Sequence, residues 1–357
     1  MSISKEIFSK YFPPPKFLMM PFVGIDISPL SVRLIEILER PSLRVGRHSE
    51  AHLKDVFNIS EGNHEEVKEV LKKWKKEYDL KYIKSSIPED KAYLFEAEIP
   101  YSSDENMRNS IEFILEENVP ISGPDAIFDY RIAGEGEKRG NSKVIVTVLP
   151  RSIIEAYSTL FQECELVPLS FIIEPQAFSR ALIQRGDQNT YLIVNIGETK
   201  TCLFIVSQEN VEFTSTLSLG SNDFTKALIK EFNISPEEAF NLKKTKGFSR
   251  EGDQEVLSAI ISTASIFRQE VDKVYDYWQT YRGSKNPSER IHKVILSGKE
   301  ANILGFADYL SQNTKVETVV GNVLENFGSF EKKNPTLLPD ESLDWAGAIG
   351  VAILNSK

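Results

Sequence analysis

The chain alternates between short runs of apolar residues and longer segments in which apolar residues recur every three or four positions. Short runs of this kind predict buried strands, which we place at 22–28, 32–40 and 81–88. Between them, residues 65–78 predict a helix because their apolar side chains fall on one face. Those side chains are Val67, Val70, Leu71, Trp74 and Tyr78. This order of strands and helix favours an α/β protein.

A second group of elements with the order β-α-β-β-α-β is predicted between residues 92 and 174. Its first helix follows the capping candidates of SSD and ends before Pro120. Two further strands, FDYRIAG and SKVIVTVLP, flank a polar loop, GEGEKRGN, which is a hairpin signal. We therefore expect a small inserted subdomain in the first lobe, with its body at about 92–150.

The second half of the chain opens with two apolar strands joined by a turn at 191–206, and a third strand follows at 211–220. A long amphipathic helix is predicted at 256–282, and such a helix most often packs on a core. The next segment, HKVILSGKEANILGFADYLSQNT, predicts a strand, a glycine turn and a helix. The small-residue apolar helix predicted at 344–354 is too short to span a bilayer, so we expect it to be buried.

Composition and charge narrow the class of protein. The chain has 357 residues, enough for two lobes, and its 41% hydrophobic and 26% charged residues are typical of a soluble globular protein. The net charge of −10 argues against non-specific nucleic-acid binding, which depends on clustered Lys and Arg. Cys164 and Cys202 are expected to be buried and reduced, and His48 and His52 lack the neighbouring carboxylates of a metal site.

Residues 1–20 precede the first predicted strand and are expected to form an N-terminal tail. The run Pro13-Pro14-Pro15 breaks any helix, and FLMMPF is shorter than a signal core or a membrane span. Residues 3–12 have the pattern of a short amphipathic helix that touches a membrane. The alternative is a tail that packs on its own lobe or is disordered.

Three glycine-containing turns each follow a predicted apolar strand. They are Gly24-Ile-Asp26-Ile-Ser28, Asn195-Ile-Gly197-Glu-Thr199-Lys-Thr201 and Leu296-Ser-Gly298-Lys-Glu300. Turns of this kind present backbone N–H groups that bind phosphate, and a helix N-terminus adds its dipole. Two facing hairpins and a third turn could therefore clamp a nucleotide between two lobes. The string SGK is no P-loop, because Lys293 stands where that motif requires its first glycine.

This order of turns resembles the actin-like ATPase fold, a two-lobed α/β fold of the ribonuclease H-like type. The resemblance implies a first lobe at 21–178, a second lobe at 179–343 and a C-terminal helix at 344–357 that returns to the inter-lobe region. Within that fold, the chain is similar to the PilM family of type IV pilus assembly proteins, which is related to the division protein FtsA. The insert and three segments carry the similarity: EENVPISGPDAIFDYRIAG, EPQAFSRAL and LSLGSNDFTKALIKEFNISPEEAFNLKKTKGF.

The resemblance implies a site for ATP and Mg²⁺ between the lobes. The cofactor-binding positions that it implies are Gly24, Asp26, Ser28, Asn195, Gly197, Thr199, Thr201, Glu270, Lys273 and Gly298. Asp26 matches a carboxylate that holds Mg²⁺ through water, and Glu174 matches the catalytic position that orients the attacking water. Glu270 and Lys273 match positions that face ribose and adenine, and a surface or inter-lobe ion pair is the alternative for each.

The turns depart from that pattern at several positions. Asn195 replaces the second carboxylate, and its amide offers Mg²⁺ an oxygen without a charge. Pro29 donates no N–H where the first turn would bind phosphate. Lys299 and Glu300 bring side chains to a turn where adenine or ribose would need room. Because phosphoryl transfer depends on positioning and metal electrostatics, we expect weak or absent ATP hydrolysis, while nucleotide binding can persist.

By resemblance, the chain is a cytoplasmic scaffold at the inner face of the inner membrane that binds the cytoplasmic tail of a PilN-like protein. The expected mode is an extended peptide in a groove or at a strand edge, and self-association is a further expectation. The insert, with its hairpin at 127–148 and helix at 105–118, is the expected contact region. Two alternatives stay open. An FtsA-like, membrane-tethered filament protein would end in an amphipathic helix that AILNSK lacks, and a sugar or acetate kinase needs intact phosphate turns.

Overall fold

Three β-sheets organise the part of the chain that the computed structural model describes, which is residues 21–38, 44–62, 64–249, 254–298, 301–323 and 342–353. The strands are β1 (Phe22–Ser28), β2 (Ser31–Leu38), β3 (Arg44–His52), β4 (Tyr82–Ile87), β5 (Tyr93–Pro100), β6 (Ala126–Glu135), β7 (Asn141–Pro150), β8 (Val167–Ile173), β9 (Thr190–Ile196), β10 (Thr201–Ser207), β11 (Asn210–Leu217), β12 (Ile291–Ser297) and β13 (Thr318–Val320). Their orders are β3-β2-β1-β4-β8, β11-β10-β9-β12-β13 and β5-β7-β6.

The first two sheets share one topology. In each, the first three strands of the lobe are antiparallel neighbours, and two parallel strands follow on the other side of the first strand. The turn between the first and second strand therefore lies at equivalent places in the two sheets. This repetition explains why the sequence contains two strand–turn–strand motifs of similar appearance.

The helices cover these sheets with apolar faces that the sequence periodicity predicted. They are α1 (Glu65–Tyr78), α2 (Asp104–Asn118), α3 (Arg151–Glu163), α4 (Glu174–Leu182), α5 (Ser221–Phe232), α6 (Pro236–Thr245), α7 (Gln254–Trp278), α8 (Phe306–Asn313) and α9 (Ala346–Ala352). In α1, Val67, Leu71 and Trp74 are buried at helical spacing, while the lysines lie outside. The hydroxyl of Ser103 accepts a hydrogen bond from the backbone N–H of Asn106 in the first turn of α2, which confirms the predicted cap.

The insert has a core of its own. The third sheet and α2 enclose nine buried side chains: Ile99, Met107, Ile111, Leu115, Val119, Ala126, Val144, Val146 and Val148. The six predicted elements follow one another in the predicted order, and the first four of them form this separate unit. The last two, α3 and β8, pack into the core of the first sheet, where β8 pairs with β4.

Two helices, α4 and α9, pack against each other between the sheets, and their small residues allow close contact. A Cβ atom on Gly350 would lie 1.7 Å from the carbonyl oxygen of Ala177, and one on Gly24 would lie 2.5 Å from that of Ala348. These glycines therefore let backbone approach backbone, a role that only glycine fills at such distances. The helix predicted at 344–354 is confirmed and buried, except that Leu354 lies outside the described residues.

Some features differ from the sequence reading or lie outside the described residues. The sequence did not predict β3, because its polar residues show no alternation, and it forms by pairing with β2. The third turn leads into α8 only at Phe306, so no helix begins directly after Gly298. Residues 1–20, Lys299 and Glu300 are outside the described part. In the described part, every helix is too short or too polar to cross a bilayer.

Candidate functional site

A cleft opens between the first and second sheets, where the β1–β2 and β9–β10 turns face each other. Its empty volume, counted out to the open mouth, is about 910 Å³. Its lining includes Asp26, Ser28, Arg33, Ser86, Glu174, Asn195, Gly197, Thr199, Lys200, Gly298 and Asp344. The two hairpins and the third turn therefore meet at one place between the lobes.

Asp26 occupies the floor of the cleft on the first-sheet side. Its Oδ1 accepts a hydrogen bond from Ser86 Oγ at 2.5 Å, and its Oδ2 accepts one from Ser28 Oγ at 3.3 Å. Asp26 is only 6% exposed. A Cβ on Gly347 would lie 2.9 Å from the carboxylate, so this glycine makes room for Asp26 beside α9. These contacts fix the direction of the carboxylate.

Asn195 at the second hairpin is the hydrogen-bond partner of Glu174. Its Nδ2 donates to Glu174 Oε1 at 2.9 Å. Burial and the nearby charge of Asp26 raise the pKa of Glu174 to about 7, while Lys200 and the backbone amide of Glu89 act in the opposite direction. A carboxylate at position 195 would add a third acid here and could not donate this hydrogen bond. An amide at 195 is therefore compatible with a close Asp26–Glu174 pair.

The second hairpin is tightly bound to the elements around it. Gly197 N–H donates to the carbonyl of Lys200 at 3.0 Å, and the Gly197 carbonyl accepts from Ser221 N–H at 2.9 Å. The first amides of α5 therefore bind the hairpin, so they do not point into the cleft. Gly298 has a φ of +87°, and a Cβ on it would lie 2.4 Å from the carbonyl of Ile196. The third turn thus packs directly on the second hairpin, and glycine is required there.

The structure brings seven of the sequence-predicted positions into the cleft lining. They are Asp26, Ser28, Glu174, Asn195, Gly197, Thr199 and Gly298. Gly24 lies under α9, where it serves helix–strand packing, and the Thr201 hydroxyl donates to the carbonyl of Leu219 at 2.8 Å. Glu270 and Lys273 do not line this cleft. They form an ion pair at 3.1 Å on the surface of α7, and the Lys273 side chain is 74% exposed.

Two cations in the cleft were not identified from the sequence. Arg33 on β2 is 6% exposed and pairs with Glu50 at 2.7 Å, yet its buried Nε has no hydrogen-bond partner among the described residues. Lys200 lies in the second hairpin and pairs with Asp90 at 2.9 Å. The available signal for Arg33 was a charged residue inside an apolar strand, opposite Asp26 in the register of β1 and β2.

The residues of the cleft fit a nucleotide with hydrated Mg²⁺. The unpartnered N–H of Arg33 can donate to a phosphate oxygen, and such a buried donor is costly when it is left unpaired. Asp26 and Glu174 are carboxylates of the kind that hold Mg²⁺ through its water molecules. Among the described residues, no three His, Cys, Asp or Glu side chains are close enough to hold a metal directly. A bound Mg²⁺ would neutralise phosphate charge.

The duplicated sheet topology and the cleft between the two sheets define a two-lobed protein of the actin-like ATPase fold. The family model of the type IV pilus assembly protein PilM matches residues 24–356. The chain therefore belongs to the PilM family.

Solved structures agree with this fold. A PilM–PilN type IV pilus biogenesis complex is similar with a TM-score of 0.75 and 16% identity, over 93% of this chain and 98% of that one. The ethanolamine utilization protein EutJ from Carboxydothermus hydrogenoformans gives a TM-score of 0.55 at 15% identity, over 92% and 88% of the two chains. MreB5 of Spiroplasma citri bound to AMPPNP gives 0.54 at 13% identity, over 93% and 95%.

Proposed function

We propose that this protein is a scaffold of a type IV pilus or related secretion machine, at the cytoplasmic face of the inner membrane. Its partner is the cytoplasmic tail of a PilN-like membrane protein. Membership of the PilM family and the similarity to a PilM–PilN complex support this role. The observation that carries the proposed contact is a pair of arginines, Arg131 on the insert and Arg180 on α4, whose charges lie close enough to interact.

The third sheet of the insert contacts α4 near these arginines. Gln176 Nε2 on α4 donates to Thr147 Oγ1 on β7 at 3.3 Å. One turn further along α4, Arg180 lies close enough to Arg131 on β6 for their charges to interact. Burial and the charge of Arg131 lower the pKa of Arg180 to about 10. Two neighbouring positive charges attract an anionic group, such as an acidic side chain of an extended peptide.

Reversing the charges of these two arginines is expected to weaken partner binding. The double variant Arg131→Glu/Arg180→Glu should lower the affinity for a synthetic PilN-like tail peptide by about tenfold or more, because charge-assisted contacts become repulsive. Isothermal titration calorimetry on the full chain measures this. Arg139→Glu, at the exposed tip of the β6–β7 hairpin, is the matched control and should bind as the wild type does. Equal affinities for the double variant and the wild type would place the peptide elsewhere.

We further propose that the cleft binds ATP with Mg²⁺ and hydrolyses it weakly or not at all. The similar MreB5 structure is bound to AMPPNP, and the unpartnered N–H of Arg33 supports an anionic ligand in this chain. Asp26 and Glu174 would hold the hydrated ion, and Glu174 would orient water. Asn195 supplies no second carboxylate on the opposite hairpin, which argues against efficient organisation of the metal.

Removing the Arg33 charge is expected to reduce nucleotide affinity without creating turnover. Arg33→Met should weaken binding of a fluorescent ATP analogue by about tenfold, since one charge-assisted hydrogen bond is lost. Fluorescence anisotropy measures the binding, and a phosphate-release assay with Mg²⁺ should stay at background for the wild type. Robust phosphate release that disappears in Asp26→Ala would contradict weak hydrolysis. Arg44→Met, on the exposed end of β3, serves as the control for binding.

A further inference from the structure

A short turn at Glu89–Lys91 connects the first sheet to the insert, since it follows β4 and leads into β5. Both acidic side chains of this turn reach the second lobe. Asp90 Oδ2 pairs with Lys200 Nζ at 2.9 Å, and the Glu89 carboxylate accepts a hydrogen bond from the hydroxyl of Thr216 on β11. The backbone amide of Glu89 also lies near the Glu174 carboxylate in the cleft and acts to lower its pKa. The entrance to the insert is therefore tied to both the second hairpin and the cleft.

Lys200 lies at the cleft and also contacts the other lobe. It lines the cleft, in the turn between β9 and β10, and its ammonium group is held by Asp90 of the other lobe. The Lys200 side chain is 31% exposed and that of Asp90 is 36% exposed, so water reaches the pair and it can exchange partners. A polyphosphate in the cleft carries more negative charge than one carboxylate and would compete for the same ammonium group.

We propose that Lys200 is a phosphate-contacting residue of the cleft and that Asp90 competes with the phosphate for it. Binding of a nucleoside triphosphate transfers Lys200 from Asp90 to the phosphate and so loosens the Glu89–Lys91 turn, which then keeps only the Glu89–Thr216 hydrogen bond of these two side-chain contacts. This inference rests on the proposed nucleotide binding and adds the regulation of that same site. The turn becomes a link through which occupancy of the cleft reaches the insert.

The insert keeps a further attachment to the second lobe when the turn is loosened. Lys143 on β7 pairs with Glu212 of β11 at 2.9 Å and with Glu96 of β5 at 3.1 Å, and Glu96 also pairs with Arg282 after α7. The Glu212 side chain is only 5% exposed, so this group is better protected from water than the Asp90–Lys200 pair. The insert is thus expected to move about this attachment, which changes the position of Arg131 relative to Arg180. By reciprocity, a peptide bound at these two arginines changes nucleotide affinity by the same factor by which the nucleotide changes peptide affinity.

Two single variants and their combination test the competition, with the full chain and the fluorescent ATP analogue in Mg²⁺. Asp90→Asn should bind the analogue about twofold to fivefold more tightly than the wild type, because an exposed competing ion pair is removed. Lys200→Met should bind it about tenfold more weakly. In the Lys200→Met background, adding Asp90→Asn should change nothing, since Asp90 acts through Lys200. Asp276→Asn, which breaks the surface pair with Lys315 at 2.7 Å, is the matched control and should bind as the wild type does.

Hydrogen exchange at the Glu89–Lys91 turn distinguishes competition for Lys200 from a purely structural role of Asp90. The amides of Lys91 and Ala92 are hydrogen-bonded to the carbonyls of Pro88 and Glu89. Their exchange should become faster when the analogue binds the wild type, and it should already be fast in free Asp90→Asn. Nucleotide binding that is unchanged by Asp90→Asn, or exchange that is unaffected by the ligand, would overturn this inference alone. Absence of any binding in all variants would overturn the nucleotide-binding proposal as well.

Discussion

Gly350→Ala is expected to destabilise the protein by about 3 kcal/mol, at the upper end of what overpacking costs. The added Cβ would lie 1.7 Å from the carbonyl oxygen of Ala177 and 2.4 Å from its carbonyl carbon. Both atoms are backbone atoms of α4, so no side chain can turn aside to make room. Either α9 moves away from α4 or the backbone of both helices deforms. Because α9 also packs on Gly24 of β1, the loss extends to the first sheet.

Chemical denaturation followed by circular dichroism measures this loss, with the wild type and Gly123→Ala beside it. Gly123 is the matched control, because a Cβ there meets no atom closer than 3.5 Å and its φ is accessible to alanine. That variant should unfold at nearly the wild-type midpoint. A Gly350→Ala protein with wild-type stability would contradict the close packing of α9 on α4.

Glu174→Gln is expected to stabilise the protein above pH 7 and to leave it unchanged near pH 4. The pKa of Glu174 is raised from 4.5 to about 7 by burial and by Asp26, so the folded state binds this proton more tightly than the unfolded state. The corresponding stability is fully present below pH 4.5 and is lost as the pH rises to about 7. A shift of one pKa unit corresponds to 1.36 kcal/mol, so the free energy of unfolding of the wild type falls by roughly 3 kcal/mol over this window. Glutamine has no charge to bury and still accepts the hydrogen bond from Asn195.

Thermal unfolding from pH 4 to pH 8 tests this difference. The stability curves of Glu174→Gln and the wild type should meet at low pH and separate as the pH rises. Asn195→Asp should change stability in the opposite direction at high pH, because it adds a third acid beside Asp26 and Glu174. Glu155→Gln, on the exposed face of α3, should follow the wild-type curve. Parallel curves for Glu174→Gln and the wild type would show that Glu174 ionises normally.

The same carboxylate links stability to the proposed function. A carboxylate that destabilises the ligand-free protein when it is ionised is stabilised by a bound Mg²⁺, because the cation favours the ionised form. Under the proposed function, a hydrated Mg²⁺ held by Asp26 and Glu174 would therefore offset the cost of ionising Glu174.

Local sequence patterns predicted most of the secondary structure and the place where the three turns meet. Strands such as β9 and β10 are continuous apolar runs, and α1 has a clear apolar face, so each element is specified by its own residues. The exception, β3, is a polar strand that depends on pairing with β2. The sequence of β3 did not predict a strand because pairing with β2, and not its own residue pattern, stabilises it.

The candidate site was predictable only in part. Asp26 and Asn195 were found because each lies two positions from a glycine near the end of an apolar strand. By contrast, Gly24 shares the first turn but packs under α9, and Glu270 and Lys273 pair on the surface of α7. Spacing along the chain cannot separate a residue that faces a cleft from one that faces a helix, because that depends on which element packs where.

By itself, the sequence determined the two repeated hairpins and the insert, since these follow from short-range patterns of apolar, glycine and capping residues, and its longer segments carried the resemblance to the PilM family. Only the tertiary structure decided the partners of charged groups: Asn195 with Glu174, Lys200 with Asp90, and Arg33 with Glu50. Each of these pairs joins segments that are 17 or more positions apart. A charge acts through space over a few ångströms, so its chemical role depends on neighbours that the chain brings together only when it folds.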